Sequence, residues 1–187
     1  LETTHVVAPD YIPKSFDKLY LGLDRNPNQK SGLLVVGKDK QERYWVLEEY
    51  YEEVFMDDFV THAKKLFEKY GFKEIRMGPE DEELKNKLKE KAIPFQFVHP
   101  KVIVGLYDVR EKLHRGRLFL SSECKNMIRQ LKTYKRQPFS DETKKYQEDH
   151  LIDALRYCLH EKPGEELQKE KFVSEWIGAK RLGANDW

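Results

Sequence analysis

Residues 18–50 carry three apolar runs in quick succession: Lys18-Leu19-Tyr20-Leu21-Gly22-Leu23-Asp24, then Gly32-Leu33-Leu34-Val35-Val36-Gly37-Lys38, then Arg43-Tyr44-Trp45-Val46-Leu47-Glu48-Glu49-Tyr50. Leu, Val and aromatic residues fill the runs. Asn26-Pro27-Asn28 and Lys38-Asp39-Lys40 supply the breaks between them. Three such runs at this spacing predict an antiparallel meander of three strands, the first of which ends in a carboxylate.

Beyond residue 50 the period changes to that of a helix. Phe55, Phe59, His62, Ala63, Leu66, Phe67 and Tyr70 mark one face, and Gly71 stops it. Short strands are then predicted at 72–77, 94–98 and 118–120. Helices are predicted at 82–91, 102–114, 123–134 and 146–160, with a polar loop at 137–145. Residues 1–17, with Pro9 and Pro13, read as a linker or lead-in; 18–187 read as a single domain, with 161–187 as a charged C-terminal tail. Three strands followed by alternating helices and strands predict an α/β fold, a mixed β-sheet flanked by helices on both faces. This is the element order of a ribonuclease H-like fold.

The composition narrows the function classes. Of 187 residues 36% are charged, yet 34 Lys and Arg face 33 Asp and Glu, for a net charge of +1. That excludes a wholly basic nucleic-acid coat and an acidic disordered tail, while leaving room for a basic face and an acidic site on one molecule. Two cysteines, Cys124 and Cys158, are too few for a disulfide scaffold or a Cys-based zinc site. No apolar run approaches the ~20 residues that span a bilayer, so no membrane partner is expected. The beginning, Leu1-Glu2-Thr3-Thr4, has none of the features of a signal peptide and reads as the cut end of a larger protein from the cytoplasm. There is no phosphate-binding G-x-x-x-x-G-K-[ST] loop, no G-x-G-x-x-G, no H-E-x-x-H and no G-x-S-x-G.

Two features carry chemistry. Asp24 at the tip of a strand is a hard oxygen donor on a rigid element, as Mg²⁺ requires, although Asp is equally at home starting a turn. In the last helix Asp149, His150 and Asp153 fall on one side, opposite Leu151, Ile152, Leu155, Cys158 and Leu159, with no Lys nearby to neutralise them. A solvated polar face would look the same on a helical wheel. Between residues 110 and 136 nine Lys and Arg stand against Glu111 and Glu123. Among them Arg115, Arg117, Lys125, Arg129, Lys132, Lys135 and Arg136 are candidate phosphate contacts, with Tyr134 interleaved. The acidic stretch Glu48, Glu49, Glu52, Glu53, Asp57 and Asp58 is either solvated or borders a metal site.

Three segments, in order, resemble the nuclease domain of the large terminase subunit of tailed bacteriophages. They are Tyr20–Asp24 with the strand that follows; Asn126-Met127-Ile128-Arg129-Gln130-Leu131-Lys132-Thr133-Tyr134, similar to the family's "lI-x-E-L-x-x-Y" helix; and Asp149-His150-Leu151-Ile152-Asp153-Ala154-Leu155-Arg156-Tyr157, similar to its "DHxxDAxRY" signature. The resemblance spans roughly residues 18–160 and implies a ribonuclease H-like fold and metal-dependent endonucleolytic cutting of concatemeric double-stranded DNA during packaging. It implies that Asp24, Asp149, His150 and Asp153 ligate Mg²⁺ or Mn²⁺, as a pair of ions that activate water and stabilise the leaving oxygen. The family's strand-four Asp falls here on Gly78, in Met77-Gly78-Pro79-Glu80-Asp81. Asp81, or else Glu80, would have to replace it, or the second ion's site is weakened. The implied partners are double-stranded DNA, the terminase ATPase domain, the small terminase subunit and the portal, in host cytoplasm at the procapsid. The competing readings are a non-catalytic DNA- or portal-binding module, and a resolvase or transposase core.

Overall fold

Strand parity organises the molecule. The computed structural model describes residues 3–78, 81–98, 101–134 and 148–160. The meander forms as expected, with β2 at Lys18–Asp24, β3 at Ser31–Lys38 and β4 at Tyr44–Glu52, β2 and β4 each pairing antiparallel with β3. Successive side chains alternate between faces. Leu21, Leu23, Leu33 and Val35 enter one core, while Tyr20, Leu34 and Val36 enter another on the opposite face. A sheet covered on both faces explains why these strands read as continuous apolar runs.

Helices then close the two faces. On the first, α1 (Met56–Tyr70) and α2 (Glu82–Glu90) lay Phe59, Val60, Ala63, Leu66, Leu84 and Leu88 over the sheet. Gly71 ends α1 in the left-handed conformation at φ 65°. On the second lie α3 (Val102–His114), α4 (Lys125–Thr133) and α5 (His150–Leu159). The remaining strands are β5 (Ile75–Met77), β6 (Phe95–Phe97) and β7 (Leu118–Ser121). With β1 at Val6–Val7, the sheet runs β1-β7-β4-β3-β2-β5-β6, with β5 and β6 added parallel beside β2 and β7 parallel beside β4. The central order β4-β3-β2-β5-β6 is that of the ribonuclease H-like fold.

Three expectations change. Within residues 1–17, expected as a lead-in, Val6–Val7 form β1, an edge strand parallel to β7, and Val7 O accepts a hydrogen bond from Ser122 N–H (2.8 Å). Phe16 lies where a Cβ on Gly37 would stand, 2.5 Å from its ring. The last helix begins at His150, with Asp149 as its cap residue and not within it; residues 146 and 147 lie outside the described residues. That helix is also not a surface helix: of its ten residues only Asp153 escapes burial, because it crosses β2 and β3 between α3 and α4. Residues 161–187, expected as a tail, and the loop 137–145 are likewise outside the described residues.

The close approach of α5 rests on glycines. A Cβ at Gly22 would stand 2.3 Å from the Ala154 carbonyl oxygen and 2.7 Å from Cys158 Sγ. A Cβ at Gly32 would stand 3.1 Å from Leu151 Cδ2, and one at Gly105 of α3 2.8 Å from Arg156 Cδ. From the far end Arg76 of β5 grips the helix: its Nη1 donates to the carbonyls of Cys158 (3.1 Å) and His160 (2.7 Å), groups the helix itself leaves unpaired. Among the described residues no helix is long and apolar enough to cross a membrane.

Gly22→Ala is expected to cost about 3 kcal/mol or more, because backbone and not a side-chain tip opposes the new methyl. Gly71→Ala, with nothing within 4 Å of its Cβ but a positive φ, is expected to cost only about 1 kcal/mol. Urea unfolding of the two variants measures the contrast.

Candidate active site

Asp24 is the last residue of β2 and shares its face with Tyr20 and Gly22, so parity alone turns it toward α5. There it meets the start of that helix. His150 Nδ1 lies 2.7 Å from Asp24 Oδ2, and both side chains are largely shielded from solvent. The other ring nitrogen, Nε2, is 3.4 Å from both Asn26 Nδ2 and Gln29 Oε1. The loop carrying these groups is braced internally: Asn26 Oδ1 accepts from Asn28 N–H (3.0 Å), and Ser31 Oγ accepts from Asn26 N–H (3.2 Å).

Asp149 and Asp153 stand one helical turn apart, joined by the Asp153 N–H to Asp149 O bond of 2.9 Å. Asp153 is not bare. Arg156 donates to its Oδ1 from Nε and Nη2, both at 2.9 Å, so a guanidinium neutralises the face on which the sequence shows no Lys. Arg156 is itself buried, and its Nη1 has no hydrogen-bond partner among the described residues. Burial nevertheless holds the Asp153 carboxyl well above the usual carboxylate range against the pull of Arg156, and the charges of Asp24 and Asp149 push it further up. Tyr51, on β4, responds to the same cluster. Its burial, with Glu148, Asp149 and Asp24 nearby, raises the phenol to about 12. For His150 burial works downward, but the Asp24 hydrogen bond and the charges of Asp24, Asp149 and Asp153 prevail and raise it.

The other expected ligand has a different occupation. Asp81 caps α2, its Oδ1 accepting from Leu84 N–H at 2.9 Å, while Arg25 Nε donates to Oδ2 at 2.6 Å and Arg25 Nη2 to Oδ1 at 3.2 Å. Arg25 also pairs with Glu83 at 2.8 Å. Glu80 lies outside the described residues. Beside Asp24, Gly78 offers no donor, and a Cβ there would meet the Tyr157 hydroxyl at 2.7 Å. Half of the acidic stretch is spent structurally: Glu48 accepts from Lys69 and Tyr70, Glu49 caps α4 through Asn126 and Met127 N–H, and Asp57 pairs with Lys87.

The basic residues divide. Lys125, Arg129 and Lys132 recur at intervals of four and three on α4 and form one exposed stripe, opposite buried Met127 and Gln130. Arg129 pairs with Glu148, next to Asp149, and Gln130 Oε1 accepts from Leu151 N–H at 3.1 Å, so this stripe borders the acidic cluster. Arg115 and Arg117 stand instead at the start of β7, level with Lys18 through the pairs Leu118–Tyr44, Tyr44–Lys38 and Lys38–Lys18. Six strand residues separate that level from Asp24, roughly 20 Å. Lys135 and Arg136 are outside the described residues.

Hard oxygen donors whose like charges crowd one another suit a hard divalent cation, which would relieve the repulsion that raises Asp153. Asp24, Asp149 and Asp153 fit such an ion by their chemistry. Among the described residues, however, no group of three His, Cys, Asp or Glu side chains is drawn together as a ready-made cage. His150 would have to give up its bond to Asp24 to serve as a ligand.

Fold and site together define an α/β ribonuclease H-like domain with an acidic cluster at the carboxyl end of its central strand. Solved structures similar to this chain include large terminases and large terminase nuclease domains. The large terminase of a thermophilic bacteriophage superposes with a TM-score of 0.74 at 21% identity, over 85% of this chain and 42% of that one. The large terminase nuclease domain of bacteriophage P22 does so at 0.67 and 16% identity, over 90% of each chain. That of bacteriophage SPP1, with bound Mn, does so at 0.61 and 19% identity, over 81% of this chain and 92% of that one. The chain thus spans less than half the length of the full-length terminase it matches. No family model and no curated protein matches the sequence.

His150 and Asp153 both titrate above their ordinary values in the folded chain. A raised folded pKa adds stability below the unfolded pKa that is lost as pH climbs through the folded one. The metal-free protein is therefore expected to melt at a lower temperature at pH 8 than at pH 6. Asp153→Asn should flatten part of that slope in thermal melts across the range.

Proposed function

We propose that this chain is a divalent-metal-dependent DNA endonuclease domain, the nuclease part of a viral DNA-packaging terminase that cuts concatemeric double-stranded DNA. One observation carries the reading: Asp24 at the tip of β2 meets His150 at the start of α5 (2.7 Å), where Asp149 and Asp153 stand one helical turn apart. The fold of known terminase nuclease domains, one of them with bound Mn, supports the same reading.

Asp24 and Asp153 would hold Mg²⁺ or Mn²⁺, with Asp149 at the edge of the set. When bound, such an ion lowers the pKa of an attacking water and neutralises charge developing on the scissile phosphate. His150 holds Asp24 in place and screens its charge. Arg156 fixes Asp153 through one oxygen and leaves Oδ2 outside that ion pair. The stripe Lys125, Arg129 and Lys132 would take phosphates of the duplex beside the cluster. Arg115 and Arg117, at the opposite end of the sheet, would touch only DNA that wraps well beyond it. The terminase ATPase domain, small subunit and portal are the proposed partners, in host cytoplasm at the procapsid.

Wild-type chain incubated with plasmid DNA and Mn²⁺ is expected to nick and linearise it. Asp24→Ala and Asp153→Ala should each lose more than about a hundredfold in rate, since outer-shell changes alone cost up to that much. Lys125→Ala with Lys132→Ala should weaken duplex binding and flatten its salt dependence, while Arg115→Ala should leave cutting nearly unchanged. Equal cutting by wild type and the Asp variants overturns the assignment. Duplex binding without any cutting points instead to the DNA-binding module.

A further inference from the structure

We propose that the acidic cluster takes one divalent cation per chain, not two, because the Tyr157 hydroxyl fills the side of Asp24 where a second ion would need a carboxylate. The proposal rests on the metal-dependent reading above and sharpens it.

A pair of ions bridged at one strand tip needs donors from both sides of the bridging carboxylate. On one side of Asp24 stands α5 with Asp153. On the other stands the parallel neighbour β5, where Leu23 pairs with Met77, so Gly78 occupies the position beside Asp24. Parity puts Gly78 and Arg76 on the α5 face, since Ile75 and Met77 enter the opposite core. A side chain at 78 would therefore point where an ion's ligand is required, but glycine supplies none. The space is also taken: a Cβ at 78 would stand 2.7 Å from Tyr157 Oη and 3.3 Å from Cζ.

Tyr157 is not free to swing aside. It is only 9% exposed, and Arg76 Nη1 binds the carbonyls on either side of the helix end that carries it. The next described carboxylate after β5, Asp81, is held by Arg25 and by the α2 cap on both of its oxygens. Among the described residues, what stands at the position beside Asp24 is thus the Tyr157 hydroxyl, which offers a hydrogen bond but not the carboxylate a second cation would need.

The test is a Mn²⁺ titration of the full chain, read by the free-ion electron paramagnetic resonance signal, with and without a phosphorothioate DNA duplex. Expected are one ion per wild-type chain in both conditions, one for Tyr157→Phe, none for Asp24→Ala and two for the double variant Gly78→Asp, Tyr157→Phe. Two ions on the wild type overturn the proposal while leaving the metal-dependent reading intact; Glu80→Ala then identifies whether that residue supplies the missing carboxylate. No ion on the wild type overturns both. A double variant that melts like the wild type yet binds a single ion overturns the blocking role of Tyr157. If the double variant does not fold, the wild-type stoichiometry alone decides.

Discussion

The contact of the Gly22 backbone with the carbonyl of Ala154 is the constraint from which the rest follows. A helix normally packs on a sheet at side-chain distance. Here the missing Cβ lets α5 rest directly on β2, and Gly32 and Gly105 extend the same closeness to β3 and α3. At that distance Asp24 reaches His150 in one hydrogen bond and feels the charges of the α5 carboxylates. Side chains as short as Asp could not form a shared cluster across an ordinary helix–sheet gap. The same closeness also buries Arg156 beside the half-buried Asp153 and so places their ion pair in the candidate site.

Much of this was legible in the sequence. The three runs between residues 18 and 50, the helix from Phe55 to Gly71 and the order of the later elements follow from periods of two and 3.6, and those periods follow from burial. The parity that turns Asp24 toward α5 is contained in Tyr20-Leu21-Gly22-Leu23-Asp24 itself. What a period cannot reveal is an interruption of it. In β4 the register passes from Val46 opposite Val36 to Glu48 opposite Val35, so Leu47 is an extra residue. That bulge swaps the faces beyond it, sending Glu48 to Lys69 and Tyr70 on one side and Glu49 to the α4 cap on the other. The acidic stretch therefore had two open readings until the register was known.

The site was legible in part and for a related reason. The clustering of Asp149, His150 and Asp153 follows from helical spacing, but the helical wheel showed an outer, solvated face where the molecule has a nearly all-buried helix. The spacing of Arg156 does not reveal its role, because it sits among apolar positions, where a guanidinium is unexpected unless a carboxylate one turn away receives it. The place of Tyr157 is not legible there either, because it depends on Gly78, just past β5 and some eighty positions earlier. The basic stretch looks like one surface in the sequence because its members are close along the chain. A strand of four residues and the turn before it are enough to send Arg115 and Arg117 to one end of the sheet and Lys125 to Lys132 to the other.

The Asp24–His150 bond joins residues 126 positions apart. A ribosome releasing the chain from its first residue exposes β2 long before α5 exists. Until α5 arrives, Gly22 and Gly32 lack the helix they rest against and Asp24 lacks its His150 partner. Contacts of such long sequence separation form late, because the loop they close is costly in entropy. The Asp24–His150 pair is thus among the latest contacts of the described residues to form, and a chain that stops short of α5 leaves the acidic cluster unassembled.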